Sequence, residues 1–276
     1  MRLRSLLFVP GDRPERFAKA AASGADAVIL DLEDSVAASA RPAAREAVAQ
    51  WLREPATVTR FVRVNPLGTA DLDADLAAAR EADGVMLPKA ERAEDVATLV
   101  AAMGERAVPV LPVATETPLA VFGLGSYRAV ADRLAGLTWG AEDLPAAIGA
   151  VSSREPDGRF TPPYEMVRSL ALMGAHAAGV PAIETVYPDI KNIDGLAGYA
   201  ARGARDGFTG MMAIHPAQVA TINAAFSPTA EALAEARRIV AAFAAHPGAG
   251  ALQLDGRMID APHLKQANAV LARAVP

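Results

Sequence analysis

At 276 residues, with a formal net charge of −5 and 52% hydrophobic residues, the chain can build one large α/β domain or two small ones, each with a full core. It has no cysteine, which removes disulfide frameworks, thiolate zinc sites, iron–sulfur clusters and a cysteine nucleophile together. The four histidines (His176, His215, His246, His263) lack His-x-His or His-Glu-x-x-His spacing, which argues against a histidine-built metal site, and mild acidity with 5% aromatics argues against a nucleic-acid surface.

Arg2 and Arg4 followed by Leu6–Val9 mimic a signal peptide, but Pro10-Gly11-Asp12 ends the apolar run far too early. Ser169 to Ile183 is the longest apolar stretch elsewhere. His176, two glycines and Pro181 interrupt it, and it falls short of the roughly 20 residues a bilayer span needs. The chain reads as soluble and cytoplasmic, with no membrane and no nucleic-acid partner.

Eight short apolar runs predict strands: Leu6–Val9, Ala27–Leu30, Phe61–Val64, Val85–Leu87, Val108–Ala114, Leu137–Trp139, Ala182–Val186 and Met211–Ile214. Ala-rich segments with charges at helical spacing lie between them, including Pro14–Ala22, Pro42–Leu52, Leu72–Ala82 and Ala93–Met103. Asp12 three residues before Glu15, and Thr117 just before Pro118, read as helix starts. Strand–helix alternation implies parallel pairing with right-handed crossovers, and eight units predict a closed (β/α)8 TIM barrel. No Gly-x-Gly-x-x-Gly follows the first strand, so a dinucleotide-binding sheet is disfavoured.

Beyond the helical stretch Thr229–Ala245, His246–Gly250 reads as a linker. Ala251–Leu254 and Arg257–Ile259 flank Asp255-Gly256, a two-residue hairpin signal, and a helical segment His263–Ala274 follows. The division expected is a barrel domain over 1–245 and a C-terminal hairpin-plus-helix lid over 246–276. A closed barrel has no place for a further strand pair, so the hairpin is expected to cap the barrel or pack on a neighbouring subunit.

Functional residues of such a barrel sit just after the strand C-termini. Those positions here hold Asp31-Leu32-Glu33-Asp34, Arg63-Val64-Asn65, Lys89, Thr115-Glu116-Thr117, Glu142-Asp143, Glu184, Asp189 and His215. Several carboxylates around one rim suit a hard cation such as Mg2+, which takes one or two carboxylates and fills its octahedron with water and substrate. Each residue also has a plainer reading. Glu33, Asp34 and Asp143 could serve as helix caps, Arg63 could be a structural partner of Asp31 or Glu33, Lys89 could pair with rim acids, and His215 could be a packed strand-end residue.

Six short motifs occur in order: Phe8-Val9-Pro10-Gly11, Asp31-Leu32-Glu33-Asp34-Ser35-Val36, Arg63-Val64-Asn65-Pro66, Leu87-Pro88-Lys89, Gly140-Ala141-Glu142-Asp143-Leu144 and Ile214-His215-Pro216. The set resembles the citrate lyase β-subunit-like and malyl-CoA lyase group of the HpcH/HpaI-type aldolase superfamily, across essentially the whole chain. The resemblance implies a TIM barrel that binds Mg2+, with Mn2+ as the alternative, and acts as a carbon–carbon lyase on a 3-hydroxyacyl-CoA thioester such as citramalyl-CoA or malyl-CoA.

By the same resemblance, Glu116 and Asp143 are the metal ligands and Arg63 holds the thioester or carboxylate oxygen, with Glu33 and Asp34 around it. Met258-Ile259-Asp260-Ala261-Pro262 matches a lid segment that reaches the adjacent subunit in related lyases, making Asp260 the candidate acid–base group and a homo-oligomer (trimer or hexamer) the expected assembly. Other implied functions are a citrate lyase β subunit working with further subunits on a carrier-bound citryl group, a thioesterase or synthase on the same scaffold, and a barrel that binds CoA without turnover. Three departures from the common family pattern, Glu184-Thr185-Val186, Asn192 and Ala114-Thr115-Glu116, fall near the substrate end and bear on which acid is cleaved.

Overall fold

The computed structural model describes residues 1–274; the last two residues of the expected lid, 275–276, lie outside them. Eight parallel strands form a barrel: β1 (Ser5–Pro10), β2 (Ala27–Asp31), β3 (Thr59–Arg63), β4 (Gly84–Leu87), β5 (Val110–Pro112), β6 (Leu137–Thr138), β7 (Ala182–Glu184) and β8 (Gly210–Ala213). The ladder runs β5-β4-β3-β2-β1-β8-β7-β6. Bridges Val110↔Leu134 and Val113↔Thr138 join its two ends, with Ala114 N–H donating to Thr138 O at 3.0 Å. All eight strands expected from the sequence form, with ends shifted by one or two residues.

β2, β4 and β8 are buried at every position, as strands covered on both faces must be. Leu6, Ile29, Phe61, Met86, Leu111, Ile183 and Met212 fill the interior. Helices flank the strands, and Ala93–Met103 matches its sequence expectation to the residue. Thr117 caps Pro118–Gly123, its Oγ1 accepting from Ala120 N–H at 3.1 Å. Asp12 makes no such cap: the turn Pro14–Arg16 is 3-10, begins after Arg13 and has no side-chain cap. No helix among the described residues is long and apolar enough to cross a membrane.

By packing, the chain divides into Leu3–Asn223 and a second unit beginning at Ala224. The second unit holds the helix Ala230–Ala245, the antiparallel strands β9 (Ala251–Leu254) and β10 (Arg257–Asp260), and the helix Ala261–Ala272. Asp255 and Gly256 both adopt positive φ (50° and 76°), the primed turn that an Asp-Gly pair favours. The hairpin finds its partner inside its own unit, on the helix the sequence reading assigned to the barrel domain. Arg238 of that helix pairs with Asp255, and Arg257 with Glu235 at 2.6 Å. A two-stranded ribbon needs such support to persist in water.

Gly210 opens β8 so close to β1 that an added Cβ would sit 1.8 Å from the Leu3 carbonyl oxygen, whereas a Cβ on Gly198, within the helix Ile193–Asp206, meets nothing within 4 Å. Gly210→Ala is therefore expected to cost about 1–3 kcal/mol through forced backbone shifts. Gly198→Ala should gain about 0.4–1 kcal/mol by restricting the unfolded chain. Urea midpoints at unchanged slope check both.

Candidate active site

The β2–β3 register pairs Asp31 with Arg63, and their side chains meet in a bidentate ion pair: Nε to Oδ1 and Nη2 to Oδ2, both 2.7 Å. Asp31 is 1% exposed and also accepts the backbone N–H groups of Glu33 and Ser35 at 3.0 Å. Burial opposes its charge, but Arg63 and these donors win and hold its carboxyl below the ordinary range. Arg63 lies 3.1 Å from Glu33 Oε2 and 3.8 Å from Asp34, with its guanidinium carbon 4.9 Å from the Phe8 ring centroid.

Glu33 is buried behind this arginine, and its Oε1 accepts from Lys89 Nζ at 2.5 Å. Its Oε2 approaches Arg63 without hydrogen-bond geometry, and burial pushes its carboxyl up despite both cations. Lys89 carries a left-handed backbone (φ 53°), uncommon for a residue with a side chain. That turn aims its N–H at Glu116 Oε2, while its Nζ lies 3.8 Å from Asp143.

Glu116 follows β5 and Asp143 opens the helix Asp143–Ile148 after β6. Thr115 joins the two exits: its Oγ1 accepts from Gly140 N–H at 3.0 Å and donates to Gly140 O at 3.3 Å. A Cβ added at Gly140 would stand 2.7 Å from Glu116 Cγ and force that side chain to move, so the glycine keeps Glu116 in place. Burial, with Asp143 adding repulsion, raises the Glu116 carboxyl to about 8. Two oxygen donors, one buried and short of positive charge, fit a hard divalent cation. Among the described residues no cluster of three or more Asp, Glu or His could hold a metal, so any ion bound here would take its remaining ligands from water or substrate.

These groups surround a cavity of about 350 Å³ whose floor is Phe8, Met86, Val113 and Met212 and whose rim includes Asp34, Arg63, Glu116 and Asp143. The structure thus brings together five of the six residues picked from sequence. The sixth, Asp260, belongs to the second unit, where it accepts from the backbone at the start of the helix Ala261–Ala272 and pairs with His263 Nδ1 at 2.6 Å.

Other rim readings resolve differently. Glu184 is fully buried against Trp139 Nε1, Arg168 Nε and Tyr199 Oη at 2.5, 2.7 and 2.9 Å, a structural network. Asp189 lies in an exposed turn, exposed His215 accepts from Ala217 N–H, and Asn65 ties Leu32 O to Asp75. Asp31 and Lys89, which the sequence places at the rim without a catalytic role of their own, are central to the site. The signal for both was their place in the strand-end motifs.

A closed barrel with its acids and one arginine at the strand C-termini is the layout of a TIM-barrel enzyme. Residues 4–216 match the family described as HpcH/HpaI aldolase/citrate lyase, and residues 172–275 match one described as a C-C bond lyase of the TIM-barrel fold. The chain belongs to the HpcH/HpaI aldolase/citrate lyase family. The citrate lyase subunit beta-like protein of Mycobacterium tuberculosis is 43% identical over 270 residues, which cover 97% of this chain and 94% of that one. The mitochondrial citramalyl-CoA lyase of Rattus norvegicus is 32% identical over 298 residues, 98% of this chain and 86% of its own. The crystal structure of CitE from M. tuberculosis with magnesium, acetoacetate and coenzyme A superposes with a TM-score of 0.84 at 41% identity, covering 99% and 98% of the two chains.

Two opposite pH dependences follow. Asp31, depressed when folded, stabilises the protein above its unfolded pKa of 3.8, and that contribution is lost as pH falls through the lower folded value. Asp31→Asn should cost about 3–5 kcal/mol at neutral pH, as breaking a buried pair does, with the gap closing in acid. Glu116, raised when folded, contributes stability that is full below 4.5 and lost as pH rises through about 8. In EDTA the wild type should therefore lose melting temperature across that window, and Glu116→Gln should abolish the slope. Thermal melts across pH check both.

Proposed function

We propose that this chain is a Mg2+-dependent carbon–carbon lyase acting on a 3-hydroxyacyl-CoA thioester of the citramalyl-CoA or malyl-CoA class. The observation that carries the proposal is the juxtaposition, at one cavity, of the Glu116–Asp143 oxygen pair with the Arg63 guanidinium. Family membership supports it, as do relatives named for lyase activity and a neighbour crystallised with magnesium and coenzyme A.

Glu116 and Asp143 would hold the cation, with Mn2+ as the alternative to Mg2+. When bound, it would supply Lewis-acid polarisation of the substrate's hydroxyl and carboxylate oxygens. Arg63 faces the thioester oxygen, where negative charge grows as the C–C bond breaks, and its fixed fork offsets that charge without reorganising. Asp31 holds the fork in place from behind, and Glu33 and Asp34 complete its surroundings. Asp260 is the acid–base group that returns a proton to the carbon of the leaving thioester enolate, an assignment resting on the family resemblance. The reading takes the enzyme as cytoplasmic and as a homo-oligomer.

The purified protein with Mg2+ and a panel of hydroxyacyl-CoA esters should yield a shorter acyl-CoA and an oxo acid by mass spectrometry, and EDTA should stop the reaction. Release of free CoA with the hydroxy acid intact would make it a thioesterase, and turnover only of a carrier-bound citryl group would make it a citrate lyase subunit. Arg63→Lys should lower kcat by more than about tenfold. A lowered melting temperature with unchanged kcat would leave Arg63 a structural role alone.

Asp260→Ala and Asp143→Ala should each lose about 10²–10⁴-fold in rate. Mixing the two under subunit exchange should restore activity if Asp260 serves a neighbour's cavity. Confirmed mixed oligomers without recovery would confine it to its own chain.

A further inference from the structure

Asp260 ends β10 and caps the helix Ala261–Ala272, and His263, the third residue of that helix, reaches back to it. The two form a capping box: the Asp260 carboxylate accepts the His263 backbone N–H, and the Asp260 N–H points to His263 Nδ1 at 3.2 Å. Glu or Gln ordinarily completes such a box. Histidine adds a contact that the cap does not need, because its Nδ1 stands 2.6 Å from Asp260 Oδ1.

A bare ring nitrogen and a carboxylate oxygen are both lone-pair acceptors and would repel at that distance, so one proton lies between them. The two contacts compete for a single nitrogen. The shorter one, made to a carboxylate, prevails over the 3.2 Å approach and places the proton on Nδ1. Among the described residues no other charged group pairs with either side chain. The imidazole is 43% exposed, and its Nε2 has no protein partner among those residues, so that edge of the ring meets water.

A carboxyl group that has given up its proton must be reloaded before the next turnover, and imidazole is the side chain that exchanges protons with water near neutral pH. We propose that His263 is a positioning residue for Asp260: its Nδ1 fixes the carboxylate and holds beside it the proton that Asp260 delivers to the enolate carbon. This rests on the reading of Asp260 as the acid–base group and adds the source of its proton. In the doubly protonated imidazole, the Nδ1 proton moves to Asp260 Oδ1. Asp260 then gives it to the α-carbon, where the enolate electron pair forms the C–H bond and the thioester carbonyl is restored. The ring regains a proton from water, which matches the hydroxyl proton released when the C–C bond breaks.

His263→Gln separates this role from the cap, since Gln completes a capping box but has no proton to hand over. The variant should keep the wild-type melting temperature and KM while kcat falls at least about tenfold, the lower end of the effect of acid–base help being relaxed because Asp260 remains. Nitrogen-15 NMR of the wild-type protein, with the His263 ring assigned, should show a protonated Nδ1 at neutral pH; if His263→Gln fails to fold, that signal decides. A bare Nδ1, or a folded His263→Gln with the wild-type kcat, would overturn the proposal. Asp260→Ala tells the two failures apart. If it is inactive while His263→Gln turns over normally, only the role of His263 falls; if it keeps full activity, the acid–base reading of Asp260 falls and the role of His263 with it.

Discussion

The buried ion pair between Asp31 and Arg63 is the constraint on which the site depends. It exists because adjacent parallel strands end in register, so that the last residues of β2 and β3 share one row of the ladder. Fixed at two points, the guanidinium cannot rotate, and its flank is held over Phe8 and toward the cavity. The same carboxylate gathers the N–H groups of Glu33 and Ser35, and so shapes the turn that delivers Glu33 and Asp34. A single buried aspartate thus sets the direction of the one arginine and the path of two further acids.

Charge balance explains why the site calls for a cation. Arg63 is surrounded by Asp31, Glu33 and Asp34, and Lys89 is drawn to Glu33. Little positive charge remains for Glu116 and Asp143. Burial makes that shortage costly, as the elevated Glu116 shows. An enzyme that must stabilise an enolate would gain from this layout, since a divalent ion held by the acids would share one cavity with the pre-aimed guanidinium.

Much of this was legible in the sequence because strand exits in a barrel converge on one rim whatever the intervening helices do. That geometry puts Glu33, Asp34, Arg63, Glu116 and Asp143 on one rim with other polar residues from positions spread over more than a hundred residues, and the family resemblance singles out these five. It failed at Glu184. The last residue of a short strand can point into the cavity or into the surrounding helix layer, and only the partners decide; Arg168 and Tyr199 lie on helices whose packing no local pattern encodes. Asp31 was underrated for a related reason, since register is a property of two strands. The apolar stripe of Ala230–Ala245 marks a face to be covered but not what covers it, and in the structure that helix packs on the hairpin and the last helix.

The central claim is that one divalent ion per chain is held by Glu116 and Asp143 in a site prepared by the Asp31–Arg63 pair. Equilibrium titration with Mn2+, read by loss of the free-ion electron paramagnetic resonance signal, tests it without substrate. The account expects one saturable site per chain in the wild type, with affinity lowered at least about tenfold in both Glu116→Gln and Asp143→Asn as each removes an oxygen ligand. Both variants should retain the wild-type circular dichroism. Wild-type protein that takes up no Mn2+, or folded variants that bind it as tightly as the wild type, would contradict the account.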